Sequence, residues 1–205
     1  WRSTIMANAA KDPVWQAKVD AEVSVHPSIQ SIIEDKCTTC HTPMARTEAI
    51  AGGSTAYSLA EALTDPLAMD GVSCTLCHQI QPDNLGAGDS FSGGYAVDAS
   101  RVIFGPYENV LSTVMESSVN YEAAQGLHLS GSELCATCHT LFTHTLDSEG
   151  KVVGELAEQV PYLEWRHSSY RDEKSCQDCH MPEVAGEMRI ASVVGLPHEG
   201  MSRHV

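Results

Sequence analysis

The chain carries one pentapeptide, Cys-x-x-Cys-His, at four places along its 205 residues. The copies are Cys37-Thr-Thr-Cys40-His41, Cys74-Thr-Leu-Cys77-His78, Cys135-Ala-Thr-Cys138-His139 and Cys176-Gln-Asp-Cys179-His180. This spacing is typical of c-type haem attachment, in which both thiols add to the vinyl groups of one porphyrin and the histidine becomes the proximal iron ligand. All 8 cysteines belong to these motifs. Because chance would give roughly 0.015 copies at this composition, the sequence predicts four covalently bound haem c groups.

The same cysteines have two other uses in proteins. Pairs at this spacing could form disulfides, and two Cys-x-x-Cys pairs can combine into a four-thiolate zinc site. Neither use requires a histidine directly after every pair. The sequence therefore favours haem attachment over both alternatives.

The composition indicates a thin protein core. Only 42% of the residues are hydrophobic and 6% are aromatic, which is little apolar volume for a chain of this length. Four covalent haems would supply the missing volume, so we expect the polypeptide to fold poorly without them. The predicted fold is mainly α with many loops and little β, as one tetrahaem domain over residues 1–205 with four closely packed haems at its core. The motifs are too irregularly spaced for a solenoid repeat.

Local patterns predict several elements around the motifs. Pro13 at a first-turn position, with Trp15, Val19 and Val23 on one face, predicts a helix over Pro13–Val25. The other predicted elements are a helix over 29–36 capped by Ser28, a short helix over 58–63, a loop over 81–105, a hairpin of 141–146 with 151–153 around a turn at 147–150, a helix over 155–172 around Pro161, and a strand over 188–194.

The net charge of the chain limits the classes of partner that it is expected to bind. Acidic residues outnumber basic ones by 27 to 12, which gives a formal net charge of −15. A phosphate backbone requires a basic protein face, so no nucleic-acid partner is expected, and an anionic membrane surface is disfavoured for the same reason. Basic redox partners and metal-bearing surfaces stay open. No apolar run approaches the length of a membrane span, so the chain is predicted not to be membrane-spanning.

Haem attachment also predicts where the chain works. Haem is joined to c-type cytochromes outside the cytoplasm, so we expect an exported protein, extracellular or at the cell surface, otherwise periplasmic. No signal peptide is visible at the start, Trp1-Arg2-Ser3-Thr4. This start is the one expected of a mature or trimmed protein.

Six histidines lie outside the motifs and are candidates for the second axial position of the four irons. With His41, His78, His139 and His180 as proximal ligands, six candidates for four sites allow every haem to be bis-histidine. The predicted distal ligands are His26, His128, His198 and His204. For His144 and His167, distal ligation is balanced by a second explanation, in which they are surface residues or propionate partners. No other catalytic constellation stands out, so no catalytic residue is predicted.

Several segments resemble a known group of proteins. These are residues 1–13, Asp70-Gly71-Val72-Ser73 before the second motif, Pro161-Tyr162-Leu163-Glu164-Trp165, and Cys-Gln-Asp-Cys-His-Met-Pro at 176–182. They resemble exported multihaem c-type cytochromes related to the tetrahaem acceptor of hydroxylamine oxidoreductase, a set that includes the extracellular cytochrome filaments, or nanowires, of metal-reducing microbes. The resemblance implies a haem-dominated fold with stacked and perpendicular haem pairs and mainly bis-histidine ligation. Because members of the group usually extend further at both ends, the start at Trp1 and the stop at Val205 also imply a processed polypeptide or part of a longer chain.

The predicted function is electron transfer rather than enzyme catalysis. Electrons would pass by an outer-sphere mechanism along four closely spaced haems. A sharper hypothesis makes the chain a subunit of a conductive extracellular filament, in which His198 or His204 ligates a haem of the next subunit. The expected partners are identical subunits, other multihaem cytochromes or extracellular metal oxides. The alternatives are a soluble periplasmic shuttle and a multihaem oxidoreductase with one open-coordination haem.

Overall fold

The computed structural model describes residues 1–147, 149, 151–191 and 195–204. The chain divides into two compact units, Trp1–Cys77 and His78–Val205, and the division falls within the second motif. About 46% of the structure is helical and 14% is strand. The fold is therefore mixed, with helices and loops predominating, and not clearly mainly α as predicted. The single tetrahaem domain over residues 1–205 stays a prediction.

The N-terminal unit, Trp1–Cys77, is built from short helices joined by tight turns. Its α-helices are α1 (Pro13–Val25), α2 (Gln30–His41), α3 (Pro43–Ala51), α4 (Leu59–Thr64) and α5 (Cys74–Cys77), with 3₁₀ turns at Met6–Lys11, Pro27–Ile29 and Ala68–Asp70. Prolines set several of these boundaries. Pro13, Pro27 and Pro43 each begin an element, because proline fits the first helical position and cannot continue a preceding helix.

Helix α1 has the bounds that were predicted for it. Asp12 caps its N-terminus, since the carboxylate accepts a hydrogen bond of 2.8 Å from the Val14 amide. Trp15 and Val19 are buried on its inner face and pack in a small apolar cluster with α4. The predicted helix over Pro13–Val25 is therefore confirmed.

Helix α2 differs from its prediction at both ends. It begins at Gln30 behind a 3₁₀ turn, and its N-cap residue, Ile29, makes no side-chain cap, so the predicted cap by Ser28 is wrong. The sequence has no proline or glycine between the predicted end, Lys36, and His41, so the helix continues to His41. Thr42 separates it from α3, which Pro43 begins. The first Cys-x-x-Cys-His motif consequently lies on the last turns of a helix.

Polar groups join the helices of the N-terminal unit. The helix predicted from Ser58 is present as α4, and Ser58 and Glu61 cap it reciprocally. On α2, the Asp35 carboxylate accepts two hydrogen bonds from the Arg46 guanidinium, at 2.9 and 3.1 Å, and a third of 3.0 Å from the Tyr57 amide. The side chains of this ion pair are mostly covered, with 25% of Arg46 and 21% of Asp35 exposed. One carboxylate thus connects α2, α3 and the segment before α4.

Replacing Asp35 with alanine is expected to lower the free energy of unfolding by about 2 kcal/mol. The change removes the acceptor that both Arg46 and the Tyr57 amide bind. Denaturant unfolding of the protein as isolated, followed by circular dichroism, measures the loss. Asp20→Ala on the exposed side of α1 is the matched control and should cost less than about 0.5 kcal/mol. Equal effects of the two substitutions would contradict this account.

The C-terminal unit, His78–Val205, combines short helices with two small sheets. Its elements are β1 (Val102–Gly105), α6 (Ser112–Val119), β2 (Glu122–Gln125), α7 (Ser132–Ala136), β3 (Leu141–Leu146), β4 (Val152–Gln159), α8 (Pro161–Arg166) and α9 (Cys176–His180), with 3₁₀ turns at Gly88–Ser90, Leu127–Ser130 and Ser169–Asp172. Strands β1 and β2 pair in parallel with α6 in the connection between them, and β3 and β4 form an antiparallel hairpin. The β1–β2 pair was not predicted, which is one reason why the predicted β content was too low.

The hairpin is confirmed, and its length corrects a second prediction. Strand β4 runs to Gln159 instead of ending at residue 153, so the helix predicted over 155–172 is wrong in its first part. The backbone of β4 pairs with that of β3. Pro161 lacks an amide hydrogen, so it begins α8 instead of lying inside a longer helix. Residues 148 and 150 of the predicted turn lie outside the described residues.

Two further predictions for this unit hold in part. The loop predicted over 81–105 is irregular for most of its length, with a 3₁₀ turn and a bridge between Ile80 and Val97, but it ends in β1. Of the strand predicted over 188–194, Met188 forms a bridge with His198, and residues 192–194 lie outside the described part of the chain.

The tail, residues 195–204, folds back on the segment that follows α9. The Met188 and His198 backbones bond each other in both directions, at 2.8 and 2.9 Å, and the Val184 amide donates to the Met201 carbonyl at 2.9 Å. The tail is therefore fixed by its own chain. In the described part of the chain, no helix has the length and apolar character needed to cross a membrane.

Candidate haem sites

All four motifs lie on helical turns. The first ends α2, the second consists of α5 and the next residue, the third begins in α7, and the fourth is α9. Cysteines three residues apart on such a turn face the same side. All eight are thiols, and each is partly or largely exposed. Two accessible thiols on one side of a turn, with a histidine directly after them, are what attachment of one porphyrin requires.

The proximal histidine of the second motif is held by strand β1. The Nδ1 atom of His78 lies 2.6 Å from the carbonyl oxygen of Phe104, and the Phe104 amide donates to the His78 carbonyl at 2.8 Å. A carbonyl can only accept, so Nδ1 carries the proton and the lone pair is on Nε2. This is the tautomer that a histidine needs to bind a metal through Nε2.

The proximal histidine of the first motif is oriented in a similar way. His41 places Nδ1 at 3.3 Å from the Ala9 carbonyl oxygen, which again leaves the lone pair on Nε2. The Trp15 ring stacks on the His41 ring, with centroids 4.6 Å apart and planes inclined by 7°. The indole Nε1 of Trp15 is buried and lacks a hydrogen-bond partner among the described residues. Backbone and stacking together fix the plane of the imidazole before any ligand is bound.

The third and fourth motifs lie side by side, because α7 and α9 are docked on each other. The Cys176 amide donates to the Ser132 hydroxyl at 2.9 Å. The buried Gln177 side chain donates to the carbonyls of Leu129 and Gly131, at 2.9 and 2.8 Å. The donors are Cys176 and the residue after it, and the acceptors lie at and just before the start of α7. The bonds therefore fix the distance between the two attachment points.

Two side chains of the third and fourth motifs, Cys176 and His139, have lowered pKa values. The hydrogen bond with Cys135 is the main cause that lowers the pKa of Cys176 to about 6; burial opposes it, and Ser132 adds to it. A thiol with such a pKa is largely thiolate, the reactive form, at neutral pH. Desolvation by the surrounding protein lowers the pKa of His139, and nearby His180 lowers it further. A neutral imidazole is the form that binds a metal.

The structure places the two tail histidines beside residues of the same unit. The His204 ring lies near the proximal His78, with centroids 6.2 Å apart and planes inclined by 26°. Its Nδ1 is 3.0 Å from the Ser202 carbonyl oxygen, and its pKa is lowered, mainly by burial. His198 packs on the ring of Tyr107 at 4.4 Å. Of these two predicted ligands, the structure brings His204 to a proximal histidine.

The other two predicted distal ligands have different surroundings. His128 places Nε2 at 2.9 Å from the Ile80 carbonyl oxygen, and its ring meets that of Phe104 edge to face, with centroids 4.9 Å apart. In this position it supports the segment that holds His78, and ligation through Nε2 would require it to leave Ile80. His26 is exposed at the C-terminal end of α1. Both assignments stay predictions.

The remaining two histidines have the surroundings of surface residues. His144 on β3 is exposed and lies 3.6 Å from the Glu155 carboxylate across the hairpin. His167 is exposed at the C-terminal end of α8, where its amide bonds the last helical carbonyls. Surface and capping roles therefore account for both residues.

The chemistry of the donor sets fits haem better than zinc. Among the described residues, no three His, Cys, Asp or Glu side chains come together as a metal-binding group. A structural zinc needs four protein ligands. Haem iron takes four nitrogens from the porphyrin and needs one or two from the protein. The histidine that ends each motif could supply the first of these, and at the second motif His204 lies beside His78 as a candidate for the second.

Several contacts at these sites were not predicted from the sequence. They are the Phe104 and Ala9 carbonyls on the proximal rings, the Trp15–His41 stack, and the Gln177 bonds that dock α9 on α7. Each joins residues distant in the chain, and backbone carbonyls leave no mark in a sequence. Comparison with known proteins adds no relative, since no family model, curated protein or solved structure matches the chain.

Proposed function

We propose that this chain is an electron-transfer protein that carries four covalently bound haem c groups, one at each Cys-x-x-Cys-His motif. The observation that carries the proposal is the geometry of the motifs, with thiol pairs on single helical turns and a histidine directly behind each pair. At His41 and His78, backbone carbonyls select the tautomer whose lone pair is on Nε2, which is the tautomer that binds a metal through that atom. When bound, haem supplies a one-electron iron couple.

The residues of the chain then have three tasks. The cysteines hold each porphyrin in place, the carbonyls and Trp15 orient the proximal imidazoles, and the docked helices fix the spacing of attachment points. The hydrogen bonds that dock α9 on α7, from the Cys176 amide and the Gln177 side chain, support a close pair of haems at the third and fourth motifs. No substrate needs to bind iron in such a carrier, so the absence of a predicted catalytic residue is consistent with it.

The proposal includes the location of the protein and its redox partners. We infer that the chain is exported and exchanges electrons with other multihaem cytochromes, and its net charge of −15 favours partners with basic surfaces. Assembly into a filament and contact with extracellular metal oxides are supported by the sequence resemblance alone. Pairing of the tail within its own chain supports the alternative in which tail histidines serve their own haems.

The isolated protein is expected to retain four haems per chain after denaturation. A pyridine haemochrome assay, set against the protein concentration, measures this ratio and distinguishes thioether-linked haem from free haem. With two histidines on every iron, the reduced protein should not bind carbon monoxide. Stoichiometric binding would favour the oxidoreductase with one open haem. Zinc in place of haem, or haem that acidified solvent extracts, would overturn the proposal.

A further inference from the structure

The tail carries its last histidine to a defined position. Its backbone is paired with the segment behind α9, and the His198 ring rests on Tyr107 with centroids 4.4 Å apart. From this anchored region the chain continues for six residues to His204, which is partly buried and whose ring lies near that of His78. The position of His204 is thus determined within the C-terminal unit.

The two rings share a second feature, which is the state of their nitrogens. His78 gives its Nδ1 proton to the Phe104 carbonyl at 2.6 Å, and His204 has Nδ1 at 3.0 Å from the Ser202 carbonyl. Both rings therefore hold their lone pair on Nε2. A pair of neighbouring imidazoles with both Nδ1 atoms fixed by carbonyls is the arrangement expected of two metal ligands.

The separation of the rings agrees with one iron between them. An iron–imidazole bond is about 2 Å long and the ring centre lies about 1 Å beyond the bonded nitrogen, so the centres of two axial imidazoles are about 6 Å apart. The observed centroid distance is 6.2 Å, with planes inclined by 26°. Two rings in direct face contact would lie closer, as Trp15 and His41 do at 4.6 Å.

We propose that His78 and His204 are the two axial ligands of the haem attached at the second motif. This inference rests on the proposed function, because it assigns the ligands of one of the four haems. The tail then closes a loop within one chain, since it joins the fourth motif to the iron of the second. It also means that His204 serves its own chain and is not the residue that would ligate a neighbour's haem in a filament.

The test is His204→Gly in the haem-loaded protein, with His144→Gly as the matched control. Glycine at 204 should convert one haem in four to a high-spin form, visible by electron paramagnetic resonance, and the reduced variant should bind one carbon monoxide per chain. Added imidazole should restore the low-spin signal. His204→Met should keep that haem low-spin and raise its reduction potential. The control changes an exposed histidine on the hairpin and should leave all spectra unchanged.

The outcomes separate this inference from the proposed function. If the wild-type protein lacks covalent haem, the proposed function fails. If all variants carry four haems and neither substitution at residue 204 changes the spectra, the ligand assignment alone is overturned. It is also overturned if the haem of the second motif is high-spin in wild-type monomers isolated at high dilution and becomes low-spin only on association, because its second ligand then comes from another chain.

Discussion

Replacing both cysteines of the fourth motif, in the double variant Cys176→Ser with Cys179→Ser, should reduce covalently bound haem from four groups per chain to three. Serine preserves the helix and the bond from the residue 176 amide to Ser132, but a hydroxyl does not form the thioether. The helix α9 should therefore persist without its attachment chemistry. Haem counted after denaturation, by pyridine haemochrome and intact mass, measures the change.

The control for this variant lies one residue earlier. Ser175 caps α9 by accepting a hydrogen bond from the Asp178 amide, so Ser175→Ala weakens the same helix and keeps both thiols. It should still yield four haems. A ratio of three in both variants would show that helix α9, and not its thiols, decides attachment. Four haems in the double variant would contradict assignment of the fourth motif as a haem site.

The attachment residues were predictable because their chemistry is local. Two thiols and a histidine within five residues bind one porphyrin wherever the segment lies in the fold, so the motif alone carries the information. The axial partner is different, because it comes from a distant part of the chain. Nothing in the sequence distinguishes His204 from His128 as a partner for His78, and only the fold sets one ring beside it and the other on the Ile80 carbonyl.

In the secondary structure too, elements set by local sequence were predictable, and elements set by distant contacts were not. Helix α1 was predicted with its bounds because Pro13 and a one-sided apolar pattern act within a few residues, and the Asp12 cap that the structure adds is also local. Strand β4 was partly missed because its residues are all exposed and lack an alternating buried face, so pairing with β3 decides their conformation. The parallel pair of β1 and β2 likewise depends on contacts across a helical connection, which no local pattern reveals.

Gly71→Ala is expected to be the most destabilising of the single substitutions considered, costing about 3–4 kcal/mol of unfolding free energy. Gly71 is buried and has a φ of +65° with a ψ of −137°, a region that is open essentially to glycine alone. A Cβ atom here would lie 2.4 Å from the Met6 carbonyl oxygen and 3.0 Å from the Ala7 backbone. The same Met6 carbonyl accepts a hydrogen bond of 2.9 Å from the Val72 amide, so neither of the two segments can shift without breaking that bond.

Gly88→Ala is the control, because Gly88 has an ordinary φ and a Cβ there would contact nothing within 4 Å. It should change stability by less than about 0.5 kcal/mol. Denaturant unfolding of the haem-loaded variants measures both, with the midpoint read from far-ultraviolet circular dichroism. Gly71 lies three residues before Cys74. A displacement of this segment in the Gly71→Ala variant would therefore also move the attachment point of the second haem. We therefore expect Gly71→Ala to yield less fully loaded protein than the control, and equal stability of the two variants would refute the steric argument.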